Sequence, residues 1–204
     1  MMLPGPDVER EDENQKEIDI SMSELTNLDP TALSISYQFR PEIVQKLTLY
    51  GNNLNVVPAS IVNFVHLKHL DVSSNQISWI SGEISRLELL RVIDARNNCL
   101  NNMPKEIQDC NRLQTLNLSG NRFQEVPEHI FNIDGLKELY LGGNQIESLS
   151  PQVQNLEKYV KLIIIFFSFI FCAQLIEGFL VVLLLLLLLF LLLSLFPTSQ
   201  KSIE

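Results

Sequence analysis

The feature that most constrains this 204-residue chain is a period of 23 residues. Leu47, Leu70, Ile93, Leu116 and Leu139 open five successive segments of that length, which align without an insertion. The first reads LTLYGNNLNVVPASIVNFVHLKH and the fourth LNLSGNRFQEVPEHIFNIDGLKE. A segment this short cannot bury its own apolar residues, but segments in series can, each covering the next, and about three suffice for a stable array. The period therefore predicts a solenoid.

Within each segment, numbered 1 to 23, the pattern changes character twice. Positions 1 and 3 (Leu47 and Leu49, Leu70 and Val72, Ile93 and Ala95, Leu116 and Leu118, Leu139 and Leu141) alternate with polar residues, as in a half-buried strand. Such strands stack in parallel. Asparagine then recurs at position 6, as Asn52, Asn75, Asn98, Asn121 and Asn144. It turns the chain out of the strand, and its amide is suited to satisfy backbone groups of adjacent turns. Positions 15, 18 and 21 are apolar, as in Ile61, Phe64 and Leu67, which lays one buried stripe along a short helix or 3₁₀ segment on the convex side. Cys110 takes a stripe position and reads as a small core residue. Pro58, Pro104 and Pro127 fix the backbone that leads into the convex segment, with Ser81 in their place in the second unit.

The repeated L-x-L-x-x-N-x-L-x-x-L-P pattern resembles the leucine-rich repeat. The 23-residue length and the leucine-proline pairs are similar to its intracellular class. The run LNLSGNRFQEVPEHIFNIDGLKELYLGGNQIESL, with LDVSSNQISWI and DARNNCL before it, resembles the leucine-rich repeat-containing protein 58 family over roughly residues 40–157. The fold that this implies is an α/β solenoid, a right-handed coil with a parallel concave sheet. Members of that family would continue with more repeats and a cysteine-containing C-terminal region, which this chain does not show.

The first twenty residues carry Asp7, Glu9, Glu11, Asp12, Glu13, Glu17 and Asp19 against Arg10 and Lys16, and residues 1–24 lack a sizeable apolar run, so 1–24 are predicted to be a disordered acidic leader. Residues 25–46 miss the template but supply Leu33, Ile35, Tyr37, Phe39, Ile43 and Val44, the apolar surface that an N-terminal cap needs. The five repeats occupy 47–161. Leu162 falls one period after Leu139, so a sixth strand could begin there before the pattern is lost at Phe167. Residues 162–196 are almost wholly apolar. As a helix, 179–196 spans about 27 Å, close to the roughly 30 Å hydrocarbon core, so a transmembrane helix is predicted there, with 197–204 as a polar tail. Residues 162–176 leave one span or a hairpin open. Lys158 and Lys161 before the run, against Lys201 after it, put the repeats on the cytoplasmic side of a single-pass membrane protein. A competing reading starts from the pyrimidine-rich codons of leucine, phenylalanine, serine and proline. Translation through a tract near a splice site would produce such a run, and the chain would then be a truncated isoform or gene-model fragment of a longer cytosolic adaptor, located in the cytoplasm.

Side chains at positions 2, 4 and 5 are expected to face outward from the concave sheet, where solenoids of this kind meet their ligands. Tyr50, Asp71, Asp94, Arg96, Asn117 and Tyr140 are the candidate protein-binding residues, with Tyr50, Arg96 and Tyr140 as anchors because aromatics and arginine dominate interface hot spots. The expected partner is a protein or peptide, with the membrane engaged through 162–196. A net charge of −9 and no evident basic stripe argue against nucleic acid. His66, His69 and His129 are placed on convex or loop positions and complete no metal site. No nucleophile motif or phosphate loop is present, so neither catalysis, a cofactor nor a small-molecule substrate is expected. The odd count of three cysteines and the absence of a secretory signal suit a reducing compartment. The function class is a non-catalytic adaptor or scaffold; the alternative is a structural membrane component that assembles through its hydrophobic run.

Overall fold

The structure is a computed structural model that describes residues 16–147 and the strand Lys161–Ile163. Each unit contributes one short strand to a single parallel sheet: β1 (Glu17–Asp19), β2 (Lys46–Thr48), β4 (His69–Asp71), β6 (Val92–Asp94), β7 (Thr115–Asn117), β8 (Glu138–Tyr140) and β9 (Lys161–Ile163), in that spatial order. The register is one full unit per step, since Leu47 pairs with Leu70, Leu70 with Ile93, Ile93 with Leu116 and Leu116 with Leu139. The period of 23 is thus the length of one coil. A second, two-stranded parallel sheet joins β3 (Val56–Val57) to β5 (Trp79–Ile80) farther along the first two units.

The strands start one residue earlier than the alternation of leucines suggests, and they end for a local reason. Position 5 adopts a left-handed backbone in every unit: Gly51, Ser74, Asn97, Gly120 and Gly143 have φ between 53° and 70°. An L side chain is strained there, and at Gly120 an added Cβ would run into Asn97 Oδ1. These residues form the turn, and the expectation that position 5 presents side chains to a ligand is corrected for Gly51, Gly120 and Gly143, which have none; Ser74 and Asn97 keep theirs, that of Asn97 on an exposed residue.

Position 6 then locks the coil. Asn75 Oδ1 accepts from Leu54 N–H at 3.0 Å, and its Nδ2 donates to Leu49 and Val72 carbonyls at 3.0 Å. The same three bonds recur at Asn98 (from Ile77 N–H; to Val72 and Ala95), at Asn121 (from Leu100 N–H; to Ala95 and Leu118) and at Asn144 (from Phe123 N–H; to Leu118 and Leu141). Each amide therefore bonds backbone in its own unit and in the one before. These backbone groups belong to the turn between β-strand and convex segment, where no helix or ladder would otherwise satisfy them.

The convex segments are 3₁₀, at Ala59–Asn63, Gly82–Arg86, Lys105–Asp109 and Glu128–Asn132. Proline precedes three of them. Ser81 serves in the remaining unit by accepting a hydrogen bond from Glu83 N–H at 3.3 Å, an N-cap in place of a fixed φ. The apolar positions 1, 3, 8, 11, 15, 18 and 21 form one continuous core, in which Leu47, Leu49, Leu54, Val57, Ile61, Phe64 and Leu67 are fully buried. Cys110 lies within it, and burial pushes its thiol up to about 12, which leaves it unreactive at neutral pH.

At the N-terminal end, ordered structure begins earlier than predicted. β1 falls inside the stretch expected to be a disordered leader, and residues 16–24 are part of the cap. Ile18 pairs with Leu47, Ile20 is buried, and Leu25 and Leu28 occupy the places of Leu54 and Val57. The cap is a divergent unit whose convex part is helical, α1 (Pro30–Tyr37), capped by Asp29 through Thr31 N–H at 2.9 Å. Phe39 stacks on Phe64 with ring centroids 6.3 Å apart. Asn52 joins this unit to the first repeat, accepting from Ser23 and Leu25 N–H at 3.0 Å and donating to Ile20 O at 2.8 Å. Residues 1–15 of the leader lie outside the described residues.

At the other end, β9 pairs Leu162 with Leu139, so the sheet continues into the first residues of the apolar run. The transmembrane helix expected over 179–196 and the polar tail 197–204 lie outside the described residues. Among those described, no helix is long and apolar enough to cross a membrane.

If the asparagines hold the coils together, Asn98→Ala strands the buried Ile77 N–H, while Val72 O keeps Asn75 Nδ2 and Ala95 O keeps Asn121 Nδ2, and should cost about 2 kcal/mol. Urea unfolding followed by circular dichroism checks this, with the exposed Asn101→Ala, expected to lie within about 0.5 kcal/mol of wild type, as control.

Candidate binding face

The outer face of the sheet carries three rows of side chains, each row advancing one strand at a time by about 4.8 Å. Alternation about the buried position 1 places positions 23, 2 and 4 on this face. All six candidate residues are on it. Asp71, Asp94, Asn117 and Tyr140 are consecutive neighbours in one row by strand register, and Tyr50 and Arg96 stand two strands apart in the next, on either side of the fully buried Ser73.

The row at position 2 is partly spoken for by the fold. Asp71 Oδ1 accepts from Ser73 N–H at 2.9 Å and Ser73 Oγ–H at 2.6 Å. Asp94 Oδ1 accepts from Arg96 N–H at 3.1 Å, and Asn117 Oδ1 accepts from Ser119 N–H at 3.1 Å. Each short polar side chain thus caps its own strand where the chain leaves the ladder. Asp19 repeats the motif with Ser21 N–H at 3.0 Å, and the bonds from Ser21 hold its carboxyl below the usual value.

The charges on the face are unevenly compensated. Asp71 and Asp94 are side by side, and Arg96 Nε reaches only Asp94 Oδ2, at 3.5 Å. Burial raises the Asp94 carboxyl above its ordinary value, and Asp71 adds to the rise; the Arg96 amide and guanidinium and, more weakly, His69 oppose it. Tyr140 is set by Glu138, whose Oε2 accepts from the phenol at 3.3 Å and from Thr115 Oγ–H at 3.2 Å. Desolvation and then the Glu138 carboxylate push the phenol up. Tyr140 is therefore held in place on the face, whereas Tyr50 is 37% exposed and the Arg96 side chain 49% exposed, without such a tether beyond Asp94.

Sequence reasoning missed the third row, position 23, which holds Lys46, His69, Val92, Thr115 and Glu138. Its signal was the alternation itself, extended one residue upstream of each unit's first leucine. His69 is accordingly on the sheet, which corrects its placement among convex and loop positions. His66 and His129 do lie off the sheet, with ring nitrogens 2.5 Å from Glu42 O and 3.0 Å from Met103 O. Among the described residues, no group of three or more His, Cys, Asp or Glu could hold a metal ion.

The leucine rich repeat family matches residues 42–100, 66–123 and 111–155. No curated protein matches the chain. Among solved structures, the chain is similar to an LRR protein of Leptospira interrogans, at 22% identity and a TM-score of 0.52, over 79% of this chain and 54% of that one. It is similar to the plant peptide hormone receptor RGFR1 in complex with RGF2, at 25% identity and 0.56, over 72% and 24%. The leucine-rich repeat domain of APL1B gives 21% identity and 0.57, over 74% and 45%. The chain thus spans about half the length of these proteins or less.

The raised Asp94 carboxyl keeps its proton to higher pH in the folded chain than in the unfolded one, so its contribution to stability falls as pH rises above the ordinary value of 3.8. Asp94→Asn keeps the acceptor for Arg96 N–H and removes that cost. The variant should be at least as stable as wild type at pH 7, with any gain shrinking as the pH is lowered to 3, in parallel denaturant titrations. A variant less stable by the same amount at both pH values would contradict the assignment.

Proposed function

Because the chain belongs to the leucine-rich repeat family, we propose that it is a non-catalytic binding module whose outer sheet face takes a protein or peptide. The observation that carries this reading is the presence on one face of exposed Tyr50 and exposed Arg96, two strands apart on either side of the buried Ser73, with the tethered Tyr140 two strands beyond Arg96 in the neighbouring row. This arrangement offers two aromatic surfaces and one planar cation over a rigid floor, the residue types that anchor interfaces at low entropic cost. The similar plant receptor, a peptide hormone receptor in complex with RGF2, supports a peptide-sized ligand.

The likeness of residues 40–157 to the leucine-rich repeat-containing protein 58 family supports an intracellular adaptor or scaffold. The apolar composition of 162–196 supports attachment to a membrane through that run, with the repeats on the cytoplasmic side. A scaffold of this kind brings its ligand to the membrane surface and performs no chemistry on it.

Tyr50→Ala combined with Arg96→Glu should reduce the partners that co-purify with the full chain at least tenfold and leave the chain in the carbonate-washed membrane fraction. Partners retained at wild-type levels would sink the sheet-face reading. Co-purification that survives this variant but is lost on removing 162–196 would favour a structural membrane component instead.

A further inference from the structure

The start of each strand carries a feature that reading along the chain does not reveal. Position 22 of successive units stacks into one column, Lys16, Gln45, Lys68, Arg91, Gln114 and Lys137, and each residue's N–H donates to the carbonyl of the one before at 2.7–2.8 Å. The column holds four cations, two amides and no acid. Lys68 Nζ donates to Gln45 Oε1 at 2.9 Å and Lys137 Nζ to Gln114 Oε1 at 3.5 Å, so both glutamine oxygens are taken. The backbone carbonyls of Lys16, Gln45, Lys68, Arg91 and Gln114 each accept twice, from the next unit's position 22 and position 23 N–H groups. What remains to face solvent from Lys68 to Lys137 is a row of donors. Arg91 and Lys137 are exposed and Lys68 half-buried, and none of the three forms an ion pair among the described residues.

We propose that this row docks an extended acidic peptide segment of a partner protein. The complement of a line of unopposed donors is a line of carboxylates. From Lys68 to Lys137 the row spans about 14 Å, the reach of roughly four residues in extended form, and each contact would be a charge-assisted hydrogen bond. It is one residue wide and borders a sheet face bearing Asp71 and Asp94, on a chain of net charge −9. A single acidic strand fits between such neighbours, whereas a phosphate polymer or an anionic bilayer, presenting charge over a broad surface, is repelled by them. The surface is separate from the sheet face proposed above and stands without it.

The test is a titration of fluorescein-labelled nonaglutamate into the full chain at low ionic strength, followed by anisotropy. Saturable binding that weakens with added salt is expected. Lys68→Glu with Arg91→Glu should weaken it at least tenfold, while Lys105→Glu, in a convex segment, and Tyr50→Ala with Arg96→Glu should leave it within twofold. If the charge-reversed pair fails to fold by circular dichroism, Lys68→Gln with Arg91→Gln serves, with at least a threefold loss expected. Absence of saturable binding, or equal loss in Lys105→Glu, overturns the proposal. So does single-stranded DNA or a phosphatidylserine vesicle that binds as tightly with the same dependence on Lys68 and Arg91. A rise in affinity on changing Asp7, Glu9, Glu11, Asp12 and Glu13 to their amides would mean that the chain occupies its own row, which also overturns a partner in trans.

Discussion

The side-chain amide of the position 6 asparagine is the interaction on which the rest of the structure depends. A coil of 23 residues made only of three-residue strands and short 3₁₀ segments leaves much of its backbone outside regular ladders. Burying that backbone is permitted only if each N–H and C=O finds a partner. One asparagine per unit supplies an acceptor to the residue two places on in the preceding coil and donors to two strand-end carbonyls. Aspartate would offer no donor and leucine neither, so only a neutral amide suits the position. The fixed geometry of these bonds sets the step from one strand to the next, and the leucines at positions 1 and 3 then meet their counterparts without adjustment.

The outer sheet face inherits its character from this arrangement. Once the left-handed residue at position 5 ends a strand, the side chain at position 2 is free to cap it, and Asp71, Asp94 and Asn117 do so. Asp71 and Asp94 each keep a second carboxylate oxygen, that of Asp94 beside Arg96, and Asn117 keeps its amide NH₂. A ligand therefore meets carboxylates whose orientation is already settled, a preorganisation that limits the entropy lost on binding. Tyr140 is similarly held by Glu138, while Tyr50 and Arg96 remain adaptable.

Much of this was legible in the sequence because it repeats. Five asparagines in phase could only be bonding to one another's coils, and the 15, 18, 21 stripe could only be buried. The six candidate residues were found on one face for the same reason. What escaped was whatever departs from the period or runs across it. The N-terminal cap keeps Ile18, Ile20, Leu25 and Leu28 in repeat positions, but Ser23 replaces the asparagine and the convex part contains a helix, so its strand was assigned to the leader. The donor column was invisible because its members lie 23 residues apart, or 29 for the first step, and acids intervene along the chain. Only the stacking of coils brings Lys68, Arg91 and Lys137 onto one line.

Native-state hydrogen exchange tests the central claim most directly. The amides of Leu54, Ile77, Leu100 and Phe123 lie outside the strands and are protected solely through the asparagine of the next coil. They should exchange as slowly as the strand-flanking amides of Leu49, Val72, Ala95 and Leu118, because both sets open only when neighbouring coils part. Exchange at the rate of an exposed loop amide such as Asn101 would show that the coils hold together without the asparagine bonds, and would contradict the account.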